Sequence, residues 1–499
     1  MVAENLGRKK SAGAQFIPDD GSFRDRANRV YDDGRQIFRG INDEALDNWI
    51  AIHEEAFFLK LLAERKIVPT ELFEGELDTG LDADWRGYLI HERIPFITYP
   101  YEWSFGMLKD AALLHLDILE QAIPCGWTLK DATAYNVQFL GSEPIFIDVP
   151  SFEPYRKGDP WRGYRQFCMM FLYPLMLNAY RGIDYLPLLR GSLDGIAPQA
   201  ANQMLSGTAR FRKGVFGHVY LHSKLQERYS NKDLDEAKSL TEGADHEPSG
   251  NKLGQHSEAM VLGTIQGLRR TVEKLNTPEF QTTWENYDTG HSYAEASFAA
   301  KKAFVEEAVQ RRPRKMVWDM GCNTGTFSEI AATNSDYVIA LDGDAKAIER
   351  LYQRQKDAGA RNILPIVMNL GNTSPDQGWR GKERKALEKR GSPELILCLA
   401  LIHHIVITAN IPLEEFIGWL RDFDSEVVIE WVGLEDSMTK MLLRHRANQY
   451  SELEPSNFER IIRSRFDIIT AEPLKGGMRK IYHLSPKNSG GERTASRLR

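Results

Sequence analysis

The stretch MVWDMGCNTGTFSEIA, residues 316–331, decides the fold of the second half of the chain. It reads as an apolar strand, then a tight loop with Gly321 and Gly325, then a helix that begins near Thr326. Ligands of open α/β sheets bind at the carboxyl ends of strands, beside such a turn. The glycines allow a ligand to approach the backbone, and the helix start offers free N–H groups. The stretch therefore predicts a ligand site at the end of this strand.

Apolar strands alternate with amphipathic helices on both sides of this stretch. The strands are MVWDM, YVIALD, ILPIVM, ELILCLAL and EVVIEWV, followed by FDIITAEPL and RKIYHLS around a Gly-Gly turn. This alternation predicts a mostly parallel sheet with helices on both faces and an antiparallel hairpin at its edge. We therefore expect a doubly wound, Rossmann-like α/β domain over residues 259–486.

Two acidic residues end the first two of these strands. Asp319 ends the first, and Asp342 follows roughly twenty residues later, where an acid suits the two hydroxyls of a ribose. A carboxylate at Asp319 would repel a pyrophosphate and favour a ligand with an amino group and a sulfonium cation. A dinucleotide and S-adenosylmethionine are the two alternatives, and the spacing D-x-G-x-N-x-G favours S-adenosylmethionine.

Residues 284–485 resemble a class I S-adenosylmethionine-dependent methyltransferase. The resemblance rests on the loop from Asp319 to Gly325, on Asp342, and on strand four running into LALIHHI. It implies that the loop holds the methionine end of the cofactor and that Asp342 holds the ribose. The two-part chain also resembles a bacterial group of two-part methyltransferases related to rhizobial nodulation-specificity proteins, which fixes no substrate.

The sequence departs from that family at two further candidate cofactor residues. Asn323 stands where the family has its middle glycine, and Asn369 stands where the third strand often leads to an acid near the adenine. An amide at Asn369 can still bond an adenine edge. The family's N-terminal lid would place Tyr287 or Tyr293 over the cofactor; the alternative for each is an ordinary half-buried tyrosine.

Three polar residues after strands four and five are the catalytic candidates. His403 and His404 follow the predicted strand four at the carboxyl end of the sheet. Adjacent strand residues point to opposite faces, so the two would not easily chelate one metal and one would face the cleft. That histidine would be a general base or a structural residue with a backbone partner. Glu430 would touch substrate or pair with a neighbour. Methyl transfer can depend mainly on alignment, so a base is optional.

The first half, residues 21–226, predicts an α+β domain. RVYDDGRQIFRG indicates a hairpin that turns at Asp33-Gly34. Apolar spacing predicts helices over 44–66 and 106–122, and short strands follow over 137–139 and 145–148.

The first half also holds a second constellation. Asp131 precedes Asn136 by five positions, and an apolar strand then ends in Asp148. This resembles kinase-like phosphotransferases, in which one Asp accepts the acceptor proton while an Asn and a second Asp hold Mg²⁺. Leu129 stands where protein kinases place His, and no Gly-rich loop precedes it. The pattern is therefore an active site, a relic used for recognition or scaffolding, or an unrelated turn.

Composition limits the partners. The chain has 499 residues and a net charge of −7, from 63 basic and 70 acidic residues, so a nucleic acid is the less favoured acceptor. A small molecule, a sugar or a protein remains open as acceptor, and so does the oligomeric state. The four cysteines are scattered, which predicts no disulfide or metal site and a cytoplasmic location. No apolar run is long enough to span a bilayer, so we expect no membrane partner.

Low apolar content marks the segments between and outside the domains. Residues 227–258 are charged and small, which predicts a linker, and residues 1–20 and 487–499 are expected to be disordered. The leading hypothesis is a methyltransferase whose first half recognises the acceptor or supports the fold. A bifunctional enzyme that also transfers phosphate from Mg-ATP and a non-catalytic S-adenosylmethionine-binding protein are the alternatives.

Overall fold

A computed structural model describes residues 17–74, 85–224, 257–277, 292–444 and 449–487. The strands described in the first half are β1 Ile17–Pro18, β2 Asn28–Asp32, β3 Ile37–Ile41, β4 Thr70–Leu72, β5 Gly87–His91, β6 Trp127–Leu129, β7 Val137–Leu140, β8 Glu143–Phe146 and β9 Phe152–Pro154. The helices are α1 Asp43–Ile52, α2 Ala56–Ala63, α3 Phe105–Ala122, α4 Tyr164–Phe167, α5 Tyr173–Arg181, α6 Leu186–Gly191, α7 Pro198–Met204 and α8 Glu258–Glu273.

The second half alternates strands with helices, as the sequence predicted. In chain order its elements are α9 Ser292–Gln310, β10 Arg314–Met320, α10 Thr326–Ala331, β11 Ser335–Asp342, α11 Ala345–Asp357, β12 Ile363–Val367, β13 Leu395–Cys398, α12 Leu413–Asp422, β14 Glu426–Val432, α13 Ser437–Leu443, α14 Pro455–Arg465, β15 Phe466–Leu474 and β16 Arg479–Pro486.

The first half is an α+β structure built on an antiparallel sheet of order β1-β2-β3-β5-β4. The predicted hairpin is confirmed as β2 and β3, whose register pairs Asp32 with Ile37. Asp33 Oδ1 closes the turn by accepting hydrogen bonds from the N–H groups of Arg35 and Gln36. The kinase-like character of this half stays a prediction.

The helix predicted over 44–66 is wrong as one element, because the chain forms α1 and α2 instead. Glu55 between them has an extended backbone, with ψ 135°. Glu55 changes the direction of the chain between α1 and α2. The apolar spacing continues across this break, so periodicity alone could not reveal the break.

The second half is a Rossmann-like α/β sheet of order β12-β11-β10-β13-β14-β16-β15. Its neighbours pair in parallel except at β16, which is antiparallel to both β14 and β15. The predicted parallel sheet with a closing antiparallel hairpin is thus confirmed. Parallel strands in this order bring the loops after β10, β11 and β13 to one edge.

The two halves share one hydrophobic core. Trp318 on β10 faces the first half, where the Phe96 ring meets it edge-on at 5.9 Å between centroids. Tyr337 on β11 points the same way, and its hydroxyl accepts a hydrogen bond from the N–H of Gly141 at 2.8 Å. Val317 faces the opposite side, where α9 and α10 cover the sheet. The first half therefore covers this sheet face together with α12 and α14 of the second half.

Helix α8, which the sequence assigned to the second domain, packs on α3 of the first. Arg269 on α8 pairs with Asp117 and Glu120 of α3, at 3.4 and 2.9 Å. Lys109 Nζ of α3 donates to the carbonyl oxygen of Leu275 just beyond α8, at 2.8 Å. A periodic helix shows that it has an apolar face but not which partner covers it, so the domain start expected at residue 259 did not anticipate this contact.

The predicted linker and tails fall mainly outside the described residues. Only 257 and 258 of the linker, and 487 of the tail, are described. Residues 17 and 18, expected to be disordered, instead form β1 against β2. Among the described residues, no helix is both long and apolar enough to cross a membrane.

Candidate functional site

The loop after β10 depends on three residues with left-handed backbone. Gly321, Asn323 and Gly325 have φ of +80°, +49° and +84°. A Cβ on Gly325 would lie 2.5 Å from Leu351 Cδ1, and one on Gly321 would lie 3.2 Å from Leu401 Cδ1. Asparagine tolerates this backbone region better than most residues do, which is why Asn323 can replace a glycine. The loop is thus narrow and its backbone is open to approach.

Asp342 joins this loop to the next one. Its Oδ2 accepts a hydrogen bond from the N–H of Asn323, and its Oδ1 accepts one from the N–H of Asp344, both at 2.8 Å. Burial raises the pKa of Asp342, although these backbone hydrogen bonds oppose the rise. The loops after β10 and β11 therefore converge on one carboxylate.

Asp319 is buried at the end of β10, with 1% of its surface exposed. Its Oδ2 accepts a hydrogen bond from the Ser328 hydroxyl at 2.6 Å. Burial raises the pKa of Asp319 to about 7, the Ser328 bond opposes this, and the charge of Asp342 adds to it. Among the described residues neither acid is in an ion pair. A cationic ligand here would therefore offset the cost of burying negative charge.

Asn369 lies beside the Asp342 turn. A Cβ on Gly343 would lie 3.7 Å from the Asn369 Cα, and Met368 N–H donates to the Asp342 carbonyl oxygen at 2.7 Å. Asn369 is exposed, and its Oδ1 accepts a hydrogen bond from the N–H of Gly371 at 2.9 Å. Its position suits the predicted adenine contact, which stays a prediction.

The predicted lid lies largely outside the described residues. Tyr287 is not among them, and of Tyr293 only the backbone in α9 is described. Further along α9, the Phe298 ring meets Phe327 edge-on at 5.9 Å, and Lys301 Nζ lies 4.9 Å from the Phe327 centroid. Helix α9 thus covers α10, the helix that begins at the glycine loop.

His403 and His404 follow β13 as predicted, but the expectation that they point to opposite faces of a strand is wrong. Strand β13 ends at Cys398, and Ala400 has a left-handed φ of +50°, so the chain turns before both histidines. They lie in a helical segment with ring centroids 4.3 Å apart, not on opposite strand faces.

His403 is the buried member of this pair. It is fully buried, and neither ring nitrogen has a hydrogen-bond partner among the described residues. Burial, then the neighbouring His404, lowers the pKa of His403 to about 3. Burial also lowers the pKa of His404. His403 is therefore neutral at physiological pH and retains hydrogen-bonding capacity.

Glu430 is buried and paired. Its carboxylate lies 2.6 Å from Lys301 Nζ and 3.1 Å from Arg479 Nη1. Arg479 also pairs with Asp436, at 2.9 Å. Burial opposes ionisation of Glu430, but the two cations outweigh it and lower its pKa. Of the two alternatives for Glu430, the structure thus shows pairing with neighbours.

The residues of the second constellation also come together. Asn136 Nδ2 donates to Asp131 Oδ1 at 2.7 Å, and Arg39 on β3 forms an ion pair with Asp148. Burial, then the charge of Asp148, raises the pKa of Asp131 to about 6. No group of three or more metal-ligating side chains is assembled anywhere in the described ranges.

Sequence reasoning missed Ser328, Lys301 and Arg479. Ser328 stands within the quoted stretch, and its place in the first turns of α10 could have indicated a partner for Asp319. Lys301 and Arg479 carry no such signal, because they contact Glu430 only after the fold brings α9 and β16 to β14. Their roles depend on tertiary contacts.

Side chains of the first half bind the loop between β12 and β13, residues 368–394. Arg390 and Glu102 form a bidentate ion pair, each side chain 1% exposed, and the Ser374 hydroxyl donates to the same carboxylate at 2.5 Å. Arg190 on α6 donates to the Thr373 carbonyl oxygen at 2.7 Å. Residues of the first half therefore position a loop at the ligand edge of the sheet.

No protein-family model matches the chain. The nodulation protein NoeA of Rhizobium meliloti (strain 1021) is 33% identical to it over 465 residues, which are 93% of this chain and 94% of that protein. The 23S rRNA (uracil(1939)-C(5))-methyltransferase RlmD of Methylococcus capsulatus is 24% identical over 114 residues, which are 21% of this chain and 26% of that protein.

Among the solved structures that overlap with part of the chain are two methyltransferases. The N-methyltransferase NodS from Bradyrhizobium japonicum WM9, in complex with S-adenosyl-L-homocysteine, matches with 12% identity and a TM-score of 0.30, over 41% of this chain and 91% of that one. The magnesium protoporphyrin IX methyltransferase ChlM from Synechocystis PCC 6803, with bound SAM, matches with 15% identity and a TM-score of 0.28, over 41% and 89%.

Proposed function

The chain belongs to the family of the nodulation protein NoeA, and we propose that it is an S-adenosylmethionine-dependent methyltransferase. The observation that carries this is the pair Asp319 and Asp342, which flank a left-handed glycine loop at the ends of adjacent parallel strands. The short match to the RNA methyltransferase RlmD supports the reaction class and leaves the acceptor open.

The residues at this edge suit S-adenosylmethionine. Asp342 has two carboxylate oxygens for the two ribose hydroxyls, and Gly321 lets the methionine end approach the backbone. Asp319 lies where a positively charged amino group or sulfur would compensate its buried charge. When bound, the cofactor supplies a methyl group on a positively charged sulfur. Asn323, Gly325 and Asn369 complete the cofactor contacts we propose.

The carboxylate of Asp319 weighs against a dinucleotide, whereas an acid at Asp342 suits the ribose of either ligand. Dinucleotide sites place a pyrophosphate against the glycine loop and the helix N-terminus. Here the buried Asp319 carboxylate stands at the strand end and bonds Ser328 on the helix that follows. A negative charge at Asp319, this close to the loop, would repel a pyrophosphate rather than hold it.

His403 is the residue we assign to the acceptor. Its ring nitrogens lack partners among the described residues, so one can accept a hydrogen bond from an acceptor O–H or N–H. Its pKa of about 3 makes it a weak base at neutral pH. Its role is therefore alignment of the acceptor, which suits a displacement that depends on geometry. His404 supports the ring from one side.

Glu430 is a positioning residue in this proposal. It does not reach the acceptor; it fixes Lys301 on α9 and Arg479 on β16 beside β14. Through Lys301, this network holds α9, the helix that covers α10, against the sheet.

The acceptor is a small molecule, a sugar or a protein in preference to a nucleic acid. This preference comes from the net charge of −7, which disfavours a polyanion. The first half recognises the acceptor or supports the site, because it holds the loop after β12 through Glu102 and Arg190. The four free cysteines agree with a cytoplasmic location.

Phosphotransfer from Mg-ATP in the first half is the second candidate. It is favoured by the convergence of Asp131, Asn136 and Asp148 and by the pKa of about 6 at Asp131, which suits a base. Against it, Arg39 pairs with Asp148, so a magnesium ion would have to displace a guanidinium. Mg-dependent ATP binding that Asp148→Asn abolishes would support this activity, and ATP binding unchanged in that variant would rule it out.

Transfer of a labelled methyl group tests the leading proposal. Purified protein is incubated with methyl-labelled S-adenosylmethionine and cell extract, and the labelled product is sized. We expect label with the wild type and none with Asp342→Ala. Asp336→Ala, an exposed acid at the other end of β11, serves as the matched control and should retain transfer. Binding of the cofactor without transfer to any extract would indicate a non-catalytic binding protein.

A further inference from the structure

The segment 207–221 of the first half exposes large apolar side chains. Phe211 ends a short helical turn, Gly207–Phe211, and is 90% exposed. Phe216 and Leu221 belong to a π-helical turn, Val215–Leu221, and are 54% and 43% exposed. Five residues separate them, about one turn of a π-helix, so they lie on one face. Large apolar side chains that remain this exposed suggest a surface that binds a partner.

Positive charges surround these apolar side chains. Arg210 lies over the Tyr220 ring with its Cζ 4.5 Å from the centroid, and the Tyr220 ring lies 5.5 Å from that of Phe216. Arg212 is 5.9 Å from the ring of Tyr180. We call this surface the basic–aromatic patch, which consists of Arg210, Phe211, Arg212, Lys213, Phe216, Tyr220, Leu221, Arg270 and Lys274.

Helix α8 extends the positive charge. A Cβ on Gly214 would lie 2.8 Å from Thr271 Cγ2, so this part of α8 packs beside the segment and places Arg270 and Lys274 near Lys213. Desolvation and these two cations lower the pKa of Lys213. No acidic residue occurs between residues 206 and 222. This concentration occurs in a chain whose net charge is −7, so it is a local feature and not the general character of the surface.

The combination suits an anionic lipid surface. Exposed phenylalanine and leucine side chains can enter the boundary between headgroups and acyl chains, while arginines and lysines beside them meet the negative headgroups. A single-stranded nucleic acid would use aromatic rings as stacking platforms, but it gains nothing from an aliphatic Leu221 on the same face as Phe216. The aliphatic side chain therefore favours lipid over nucleic acid.

We propose that the basic–aromatic patch docks this protein on membranes that carry anionic phospholipids. The contact is peripheral. This proposal differs from the expectation of no membrane partner, because that expectation was based only on the length of apolar runs that could span a bilayer. It does not depend on the methyl-transfer proposal, because none of the residues involved belongs to the cofactor edge.

Vesicle flotation with the full chain tests the proposal. Vesicles of phosphatidylcholine alone are compared with vesicles that also contain phosphatidylglycerol. We expect the wild type to float with the anionic vesicles at low salt, at least about tenfold more than with neutral ones, and to dissociate as salt rises. Equal flotation with both kinds of vesicle, or none with either, would overturn the proposal.

Two variants separate the apolar and ionic contributions. Phe211→Ser with Phe216→Ser, and Arg210→Glu with Arg212→Glu, should each reduce flotation at least about tenfold. Ile50→Ser is the control, because Ile50 is 56% exposed on α1 next to acidic residues. Circular dichroism checks that the variants fold. Flotation retained in both variants, or displaced by single-stranded RNA that binds the patch more tightly, would contradict membrane docking.

Discussion

Two pairs of carboxylates lie at strand ends in this molecule, and the chain holds them differently. Asp319 and Asp342 accept hydrogen bonds from a hydroxyl and from backbone N–H groups, with no ion pair among the described residues. Asp148 is neutralised by Arg39, and its neighbour Asp131 accepts from the Asn136 amide. In the described part of the chain, no cation forms an ion pair with the first pair of carboxylates, whereas Arg39 pairs with Asp148 in the second.

This difference separates a site whose carboxylates can pair with a cationic ligand from one whose carboxylate already pairs with an arginine of the protein. Buried carboxylates without a cation reduce stability, so their retention points to a ligand that compensates them. A carboxylate paired with arginine needs no ligand to be stable. From this comparison we propose that the pair in the second half is the functional one, and that the ion pair of the first half orients β3 against the loop that carries Asp148.

Gly325→Ala should have the largest effect, because it destroys the loop that holds the first pair. The new Cβ would collide with Leu351 at a left-handed backbone, so we expect a loss of about 3 kcal/mol in the free energy of unfolding and no cofactor binding. Denaturant titration and calorimetry measure the two effects. Gly359→Ala, also left-handed but with no atom within 4 Å of its Cβ, should cost about 1 kcal/mol and retain binding.

Removing Arg39, the cation that pairs with Asp148, should lower the stability of the protein without changing its affinity for the cofactor. Arg39→Ala leaves Asp148 partly buried and unpaired, for an expected loss of about 2 kcal/mol with cofactor affinity unchanged. Arg93→Ala removes an exposed ion pair with Asp32 and should cost less than about 1 kcal/mol. A loss of cofactor affinity in Arg39→Ala would mean that the two regions are coupled.

A smaller effect is expected in the pH dependence of cofactor affinity, which should involve Asp319 of the first carboxylate pair and not Asp131 of the second. Asp319 has a pKa of about 7, so it is largely protonated at pH 6. A cationic ligand favours the ionised carboxylate, so affinity should fall as pH drops through 7, by at most about tenfold per unit. Asp319→Asn should remove this slope in calorimetry. Asp131→Asn should leave it unchanged, although Asp131 also has a raised pKa, of about 6.

The smallest effect is expected at Asn323. Asn323→Gly relaxes a left-handed backbone at φ +49°, so stability should change by less than about 1 kcal/mol. Cofactor affinity should stay within about threefold, because Asp342 bonds the backbone N–H of this residue and not its side chain. A larger loss of affinity would show that the Asn323 amide itself contacts the ligand.

The sequence predicted those parts of the molecule that depend on local pattern. Apolar runs predicted the strands of the second half and the antiparallel hairpin that closes the sheet. The convergence of Asp319 with Asp342 follows because these runs end in acids beside glycines. The orientation of His403 and His404 was mispredicted, because the apolar run continues through LALI while the backbone turns at Ala400 into a helical segment. The partners of Glu430 and the packing of α8 on α3 arise from contacts between distant segments, for which a single sequence carries no signal.

Direct titration of the purified chain tests the central claim, that the edge at Asp319 and Asp342 holds S-adenosylmethionine. Isothermal calorimetry is run with S-adenosylmethionine and with NAD⁺, on the wild type, Asp342→Ala and Asp336→Ala. We expect saturable binding of S-adenosylmethionine by the wild type and Asp336→Ala, a loss of at least about 100-fold in Asp342→Ala, and no binding of NAD⁺. Tighter binding of NAD⁺, or equal affinity for S-adenosylmethionine in Asp342→Ala, would contradict the claim.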